Sequence, residues 1–161
     1  MEWNQTYLML GSNLGDRAKN LEKAITLIGH RIGVVFKKSS VYETKPWGKS
    51  DQPDFLNLAL IVRSSLKPNQ SLYQALSIEQ EMGRNREEKW GARIIDIDLL
   101  YVDNAIINTE DLTLPHPGIA QRRFVLEPLT EIAPDFIHPT LKKNHTGLLA
   151  LCTDPLAVRK L

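Results

Sequence analysis

Apolar residues change their spacing several times along the chain, and each change marks an element. Residues 6–10 form a short apolar run suited to a buried strand, and GSNLGD at 11–16 follows as a turn rich in glycine and helix-capping side chains. Leu14, Ala18, Leu21, Ile25 and Ile28 then recur at helical spacing, with Lys19, Glu22 and Lys23 outside and Gly29 as the stop. A second strand spans 34–44. The stretch 45–53, which holds Lys45-Pro46-Trp47-Gly48 and Gln52-Pro53, is a proline-broken loop too long for a mere connection and suits a binding wall. Residues 55–62 return as a strand with Phe55, Asn57, Ala59 and Ile61 on one face.

The second half repeats the alternation. Pro68 opens a helix whose stripe is Leu72, Ala75, Leu76 and Met82, with Glu79 on the same stripe. RIIDIDLLYV at 93–102 has the β-branched and aromatic content of a strand, and its period of two sends Asp96 and Asp98 to one face. Ile95, Ile97, Leu99 and Tyr101 are expected on the other face. Asp103-Asn104 signals a tight hairpin into 105–107, and LPHPG at 114–118 holds His116 between prolines. Arg122, Arg123 and Phe124 precede a helix through Leu126 and Leu129 that ends near Pro134, and the remainder is expected to pack and then fray.

Composition narrows what such a chain can be. Its 161 residues, 42% hydrophobic and 24% charged, suit one globular domain over 1–161 that buries a core without staples. A formal net charge of +1 argues against a general nucleic-acid partner, although local arginine clusters escape that argument. The single cysteine, Cys152, excludes an internal disulfide framework and fits a reducing compartment. MEWNQTYLML lacks the basic start of a secretory signal, and no apolar run is long enough to span a bilayer, so a cytoplasmic setting is expected.

The chemistry concentrates in residues 83–102. Two carboxylates two positions apart on a strand, with Cβ atoms roughly 7 Å apart, repel each other unless cations or arginines intervene. Oxygen ligands with no adjacent histidine or thiol favour a hard ion such as Mg²⁺; the competing reading is an exposed strand face whose acids pair with lysines. Arg84, Arg86 and Arg93 supply guanidinium forks matched to phosphate oxygens, and the charged segment 85–92 carries Trp90 as its one aromatic. Glu79 either meets a ligand or pairs with an arginine. Asn57 beside Phe55 suits a flat heterocycle, unless backbone satisfies its amide. His116 fits phosphate contact or acid–base work, whereas His30, His138 and His145 have no such context. GSNLGD is neither a Walker A loop nor GxGxxG, so its glycines need only make the turn.

Taken together, GSNLGD, DQPDFLN, GRNREEKWGARIIDIDLL and LPHPG with a following RRF closely resemble the 6-hydroxymethyl-7,8-dihydropterin pyrophosphokinases of folate biosynthesis, over nearly the whole chain. The resemblance implies a ferredoxin-like α+β fold: a βαββαβ core with an antiparallel sheet, helices on one face, and additional C-terminal helices. It implies transfer of the β,γ-pyrophosphoryl group of ATP to the pterin hydroxymethyl oxygen, with AMP released. By the same resemblance Asp96 and Asp98 hold two Mg²⁺ ions, and Arg84 and Arg93 stabilise charge on the phosphate chain. Glu79, Arg86, Trp90, His116 and Arg122 fall to ATP, while Phe55 and Phe124 stack on the pterin with Asn57, Thr44 and Trp47 at its edge. Phe55 stands where the family often has tyrosine, and Pro117 and Leu76 stand where some members offer polar groups to the nucleotide. Small-molecule substrates, a monomer, and neither nucleic acid nor membrane as partner complete the expectation. A ferredoxin-like RNA-binding module or a plain interaction domain are the rival classes; the acidic pair opposes the first, and the arginine cluster is unexplained by the second.

Overall fold

The computed structural model describes residues 2–46, 52–83 and 93–161. In chain order it contains β1 (Asn4–Ser12), α1 (Arg17–Arg31), β2 (Gly33–Lys38), β3 (Tyr42–Thr44), β4 (Phe55–Ser64), α2 (Pro68–Glu81) and β5 (Asp96–Val102). A small hairpin of β6 (Ile107–Asn108) and β7 (Thr113–Leu114) follows, then α3 (Arg123–Ile132), α4 (His145–Leu151) and β8 (Val158–Lys160). The main sheet has six strands in the order β5-β1-β4-β3-β8, with β2 also on β4, and all its pairings are antiparallel. Each helix of the first half therefore links strands that are separated by one neighbour, which is the ferredoxin-like split βαβ arrangement.

Two apolar layers cover the sheet. Leu8 and Leu10 of β1 point into a core shared with α1 and α2, whereas Tyr7 and Met9 point into a second core closed by α3 and α4. Helices on one face describe the βαββαβ unit only; the C-terminal helices occupy the other face. With both faces covered, β1 is buried continuously from Thr6 to Ser12 instead of alternating.

Several elements depart from their expected form, each for a local reason. Asp16 caps α1, accepting the Lys19 N–H at 3.2 Å, and leaves Leu14 outside the helix and exposed. The helix continues through Gly29 to Arg31, because Gly29 faces open space and no turn is required there. The 34–44 segment divides in two at Ser39, where the Ser39 N–H donates to Ala59 O and its hydroxyl accepts the Ala59 N–H, both at 2.9 Å. Glu131 of α3 pins this kink, accepting the Ser40 N–H and the Tyr42 hydroxyl. On α2 the buried stripe is Ser71, Ala75, Ile78 and Glu79, with Leu76 turned outward.

β5 carries a bulge. Leu99 opposes Leu8 and Tyr101 opposes Tyr7, so Leu100 is the extra residue and Tyr101 joins the α3–α4 core instead of sharing a face with Ile95, Ile97 and Leu99. The chain end is not frayed: β8 pairs with β3, and Asp154 accepts the Arg123 N–H at the start of α3.

Tyr101 borders a buried histidine. The ring Nδ1 of His145 lies 2.7 Å from Ala133 O, and a carbonyl only accepts, so Nδ1 carries the proton and Nε2 accepts from the Tyr101 hydroxyl at 3.0 Å. Neutral His145 is thus satisfied at both nitrogens, and burial lowers its pKa from 6.5 to about 4, outweighing the Ala133 carbonyl, which raises it. Burial lowers His138 as well. Because the unfolded chain takes up the His145 proton first, its contribution to stability is full above pH 6.5 and is lost as pH falls toward 4. Urea-unfolding midpoints are expected to record on the order of 3 kcal/mol of this acid loss in the wild type, and His145→Gln to lack that share.

Candidate active site

The cleft opens at the end of the sheet where β1, β4 and β5 present matched positions. The register sets Asp96, Gly11 and Asn57 in one cross-strand row and Asp98, Met9 and Ala59 in the next. A cleft of about 270 Å³ is lined by Met9, Gly11, Asn57, Asp96 and Asp98 of these rows together with Thr44, Lys45, Gln52, Phe55, Arg93, His116, Arg122 and Phe124. Asp96, Asp98, Phe55, Asn57, Thr44, Arg93, His116, Arg122 and Phe124 were all expected to line a site, and the fold brings them together.

On one side lie the acids and cations. Arg93 Nη1 sits 3.0 and 3.2 Å from the two Asp96 oxygens, so a guanidinium shields one member of the acidic pair. His116 is tied by its N–H to Leu100 O at 2.9 Å, and its Nδ1 accepts the Gly118 N–H at 3.0 Å. In the neutral ring the proton is therefore on Nε2. Burial lowers the His116 pKa, Asp98 opposes that shift, and Arg122 reinforces it. Gly118 lets the Arg122 guanidinium lie against the backbone, since a Cβ there would stand 3.0 Å from Arg122 Cζ. Arg123 points elsewhere: its guanidinium bonds Asp154 O and Cys152 O, fastening the chain end.

On the other side is an aromatic slot. Phe55 and Phe124 border it, and Thr44 Oγ1 accepts one Asn57 Nδ2–H at 2.9 Å, leaving the amide oxygen and a second N–H to read a ligand edge. The floor beneath them is Gly11. It does not belong to the turn; a Cβ there would lie 3.0 Å from Asn57 Oδ1 and 3.4 Å from Phe55 Cδ1. The turn is made by Gly15, at φ +73°.

Other expected site residues lie apart. Glu79 is buried and is not in the cleft lining; its carboxylate accepts the Ile97 N–H of edge strand β5 at 2.7 Å. Trp47, Arg84, Arg86 and Trp90 fall outside the described residues. Sequence reasoning missed Met9 and Gly11, while Lys45 and Gln52 belong to the 45–53 stretch expected to form a binding wall. Alternation along β1 would have placed Met9 and Gly11 on one face, but only the pairing with β5 puts that face beside the acids. Among the described residues no three acidic, histidine or cysteine side chains cluster as a closed metal cage. A pair of carboxylates suits a hard cation that completes its shell from water and phosphate oxygens.

Fold and cleft together define a ferredoxin-like α+β protein that sets an acidic pair and arginines against an aromatic slot. A family model described as 7,8-dihydro-6-hydroxymethylpterin-pyrophosphokinase (HPPK) matches residues 7–134. The 2-amino-4-hydroxy-6-hydroxymethyldihydropteridine pyrophosphokinase of Methylorubrum extorquens is 46% identical over 134 residues, covering 83% of this chain and 85% of the relative. The Bacillus subtilis protein of the same name is 46% identical over 130 residues, covering 80% and 78%. A crystal structure of an HPPK-DHPS in complex with substrates superposes with TM-score 0.76 over 93% of this chain at 18% identity; this chain spans 43% of that one, and the likeness concerns the fold. The chain belongs to the HPPK family, the pyrophosphokinases of folate biosynthesis.

Gly11→Ala tests the floor. The added methyl is expected to push the Asn57 amide aside and weaken binding of 6-hydroxymethylpterin about tenfold, roughly 1.4 kcal/mol, with nucleotide binding little changed. Calorimetry with each ligand separately checks this, and equal loss for both would remove Gly11 from the ring pocket.

Proposed function

We propose that this cleft performs the family reaction as follows. The pterin ring enters the slot between Phe55 and Phe124, with the Asn57 amide and the neighbourhood of Thr44 and Trp47 at its edge, so that its hydroxymethyl group points toward Asp96 and Asp98. The triphosphate of ATP lies along Arg93, His116 and Arg122. The hydroxymethyl oxygen attacks the β-phosphorus and its proton passes to solvent, the bond from that phosphorus to the bridging oxygen of the α-phosphate breaks, and AMP leaves. The observation that carries the reading is the adjacency of the two halves: Asp96 and Asn57 flank Gly11 in a single cross-strand row.

Each side chain then has a task that its surroundings support. Arg93, already held against Asp96, presents fixed positive charge where charge gathers on the transferring group. The Nε2–H of neutral His116 donates to a phosphate oxygen without adding a proton that must later be shed, and Arg122 supplies a planar fork beside it. Asp96 and Asp98 hold two Mg²⁺ ions; when bound, these spread the negative charge of the phosphates. Arg84, Arg86 and Trp90 are further ATP contacts in this reading, and Glu79, which holds the Ile97 N–H, supports the nucleotide side through β5. The protein acts as a cytoplasmic monomer on small molecules.

AMP release from ATP that requires both Mg²⁺ and 6-hydroxymethyl-7,8-dihydropterin is the direct test. Asp96→Ala and Asp98→Ala are each expected to lower turnover by on the order of a thousandfold. Stability should change little, because the partly exposed Arg93–Asp96 pair is worth about 1 kcal/mol or less and losing one acid relieves repulsion. Turnover at the wild-type rate in either variant at saturating Mg²⁺ would sink the assignment.

A further inference from the structure

Thr44, which orients the Asn57 amide by accepting its Nδ2–H at 2.9 Å, belongs to β3, a strand of only three residues. One edge of β3 pairs with β4, where Thr44 lies opposite Phe55 and Tyr42 opposite Asn57. The other edge pairs with β8, where Val158 lies opposite Thr44, Arg159 opposite Glu43 and Lys160 opposite Tyr42. The Leu161 N–H extends the ladder, donating to Val41 O at 2.9 Å. So short a strand, set between the kink at Ser39 and a proline-broken stretch, has little order of its own and depends on a neighbour along each edge. The last residues of the chain thus bear on the aromatic slot without lining the cleft.

A charge latch adds to the ladder. Glu43 accepts from Arg159 and, at 2.9 Å, from Arg17, and the same Arg17 nitrogen donates to Asp54 O at 2.9 Å, next to Phe55. Arg159 and Lys160 are exposed and Val158 is half-buried, so β8 gives the hydrophobic core little. Nor does β8 fasten α3, because Asp154 and the Cys152 carbonyl hold Arg123 ahead of it. What β8 does hold is the strand that carries Thr44.

We propose that β8 is a positioning strand for the pterin slot: by pairing with β3, and through Arg159 on Glu43, it keeps Thr44 where the Asn57 amide meets the ring edge. The proposal rests on placing the pterin between Phe55 and Phe124. Freed from β8, β3 becomes a three-residue edge strand, Thr44 moves with it, and the Asn57 amide loses its fixed orientation. β5, which carries Asp96 and Asp98, is separated from β3 by β1 and β4 and keeps its place.

Steady-state AMP release from ATP and the pterin reads this out. In the full-length chain, Arg159→Glu sets a carboxylate against Glu43 and is expected to raise the pterin KM about fivefold, with kcat and the ATP KM within about twofold of wild type. Arg159→Lys restores the charge and is expected to stay within about twofold of wild type in all three. A chain ending at Ala157 is expected to raise the pterin KM about tenfold with the same split; Arg159→Glu carries the test alone if that chain fails to fold. A pterin KM unchanged in these variants, or kcat and both KM values altered alike, overturns the proposal. Phe124→Ala is measured alongside: if it too leaves the pterin KM unchanged, the placement of the pterin falls and the proposal with it, whereas a rise in Phe124→Ala alone overturns only the role of β8.

Discussion

β1 has no side that faces water. It is hydrogen-bonded along one edge to β4 and along the other to β5, with an apolar layer on each face. A strand confined in this way cannot slip by one residue, since Leu8 and Leu10 would exchange layers with Tyr7 and Met9. That register sets the row in which Asp96 and Asn57 face each other across a glycine. The chemistry is therefore a consequence of packing far from the cleft: the leucines determine which carboxylate meets which amide.

The second constraint is electrostatic. Asp96 and Asp98 share a face of an edge strand, an arrangement that costs free energy in an empty cleft unless positive charge is near. Arg93 and Arg122 supply it from opposite directions, one from the residues entering β5 and one from the residue preceding α3. Arg122 and Arg123 are neighbours in sequence yet serve different ends, because the helix start turns one toward the cleft and the other toward Asp154. Residue type alone does not separate them.

Much of this was legible beforehand. The alternation in RIIDIDLLYV put the two acids on one face, and Phe55 and Asn57 fell on one face of their strand by the same period. What escaped notice depends on partners rather than on propensity. β8, with sequence VRK, has no apolar pattern and is a strand only because β3 offers an open edge. Ser39 breaks one expected strand into two because its hydroxyl replaces a backbone carbonyl. Glu79 lay on the α2 stripe as expected, but its Ile97 partner belongs to a strand eighteen residues on. Asn13 and Gly11 looked like turn chemistry, and only tertiary pairing shows that the Asn13 amide bonds Arg93 and Pro53 and that Gly11 clears a floor.

The extra residue at Leu100 divides β5 into two stretches whose facing is set separately. Ahead of it, parity faces the acids to the cleft; behind it, parity is reset so that the Tyr101 hydroxyl reaches His145. Deletion of Leu100 would close the bulge and leave the tyrosine opposite Tyr7 in the α3–α4 layer, whereas deletion of Ile97 would set Asp96 and Asp98 on opposite faces of the sheet. Among relatives, a one-residue gap in this strand is thus expected at the bulge and not between the two acids.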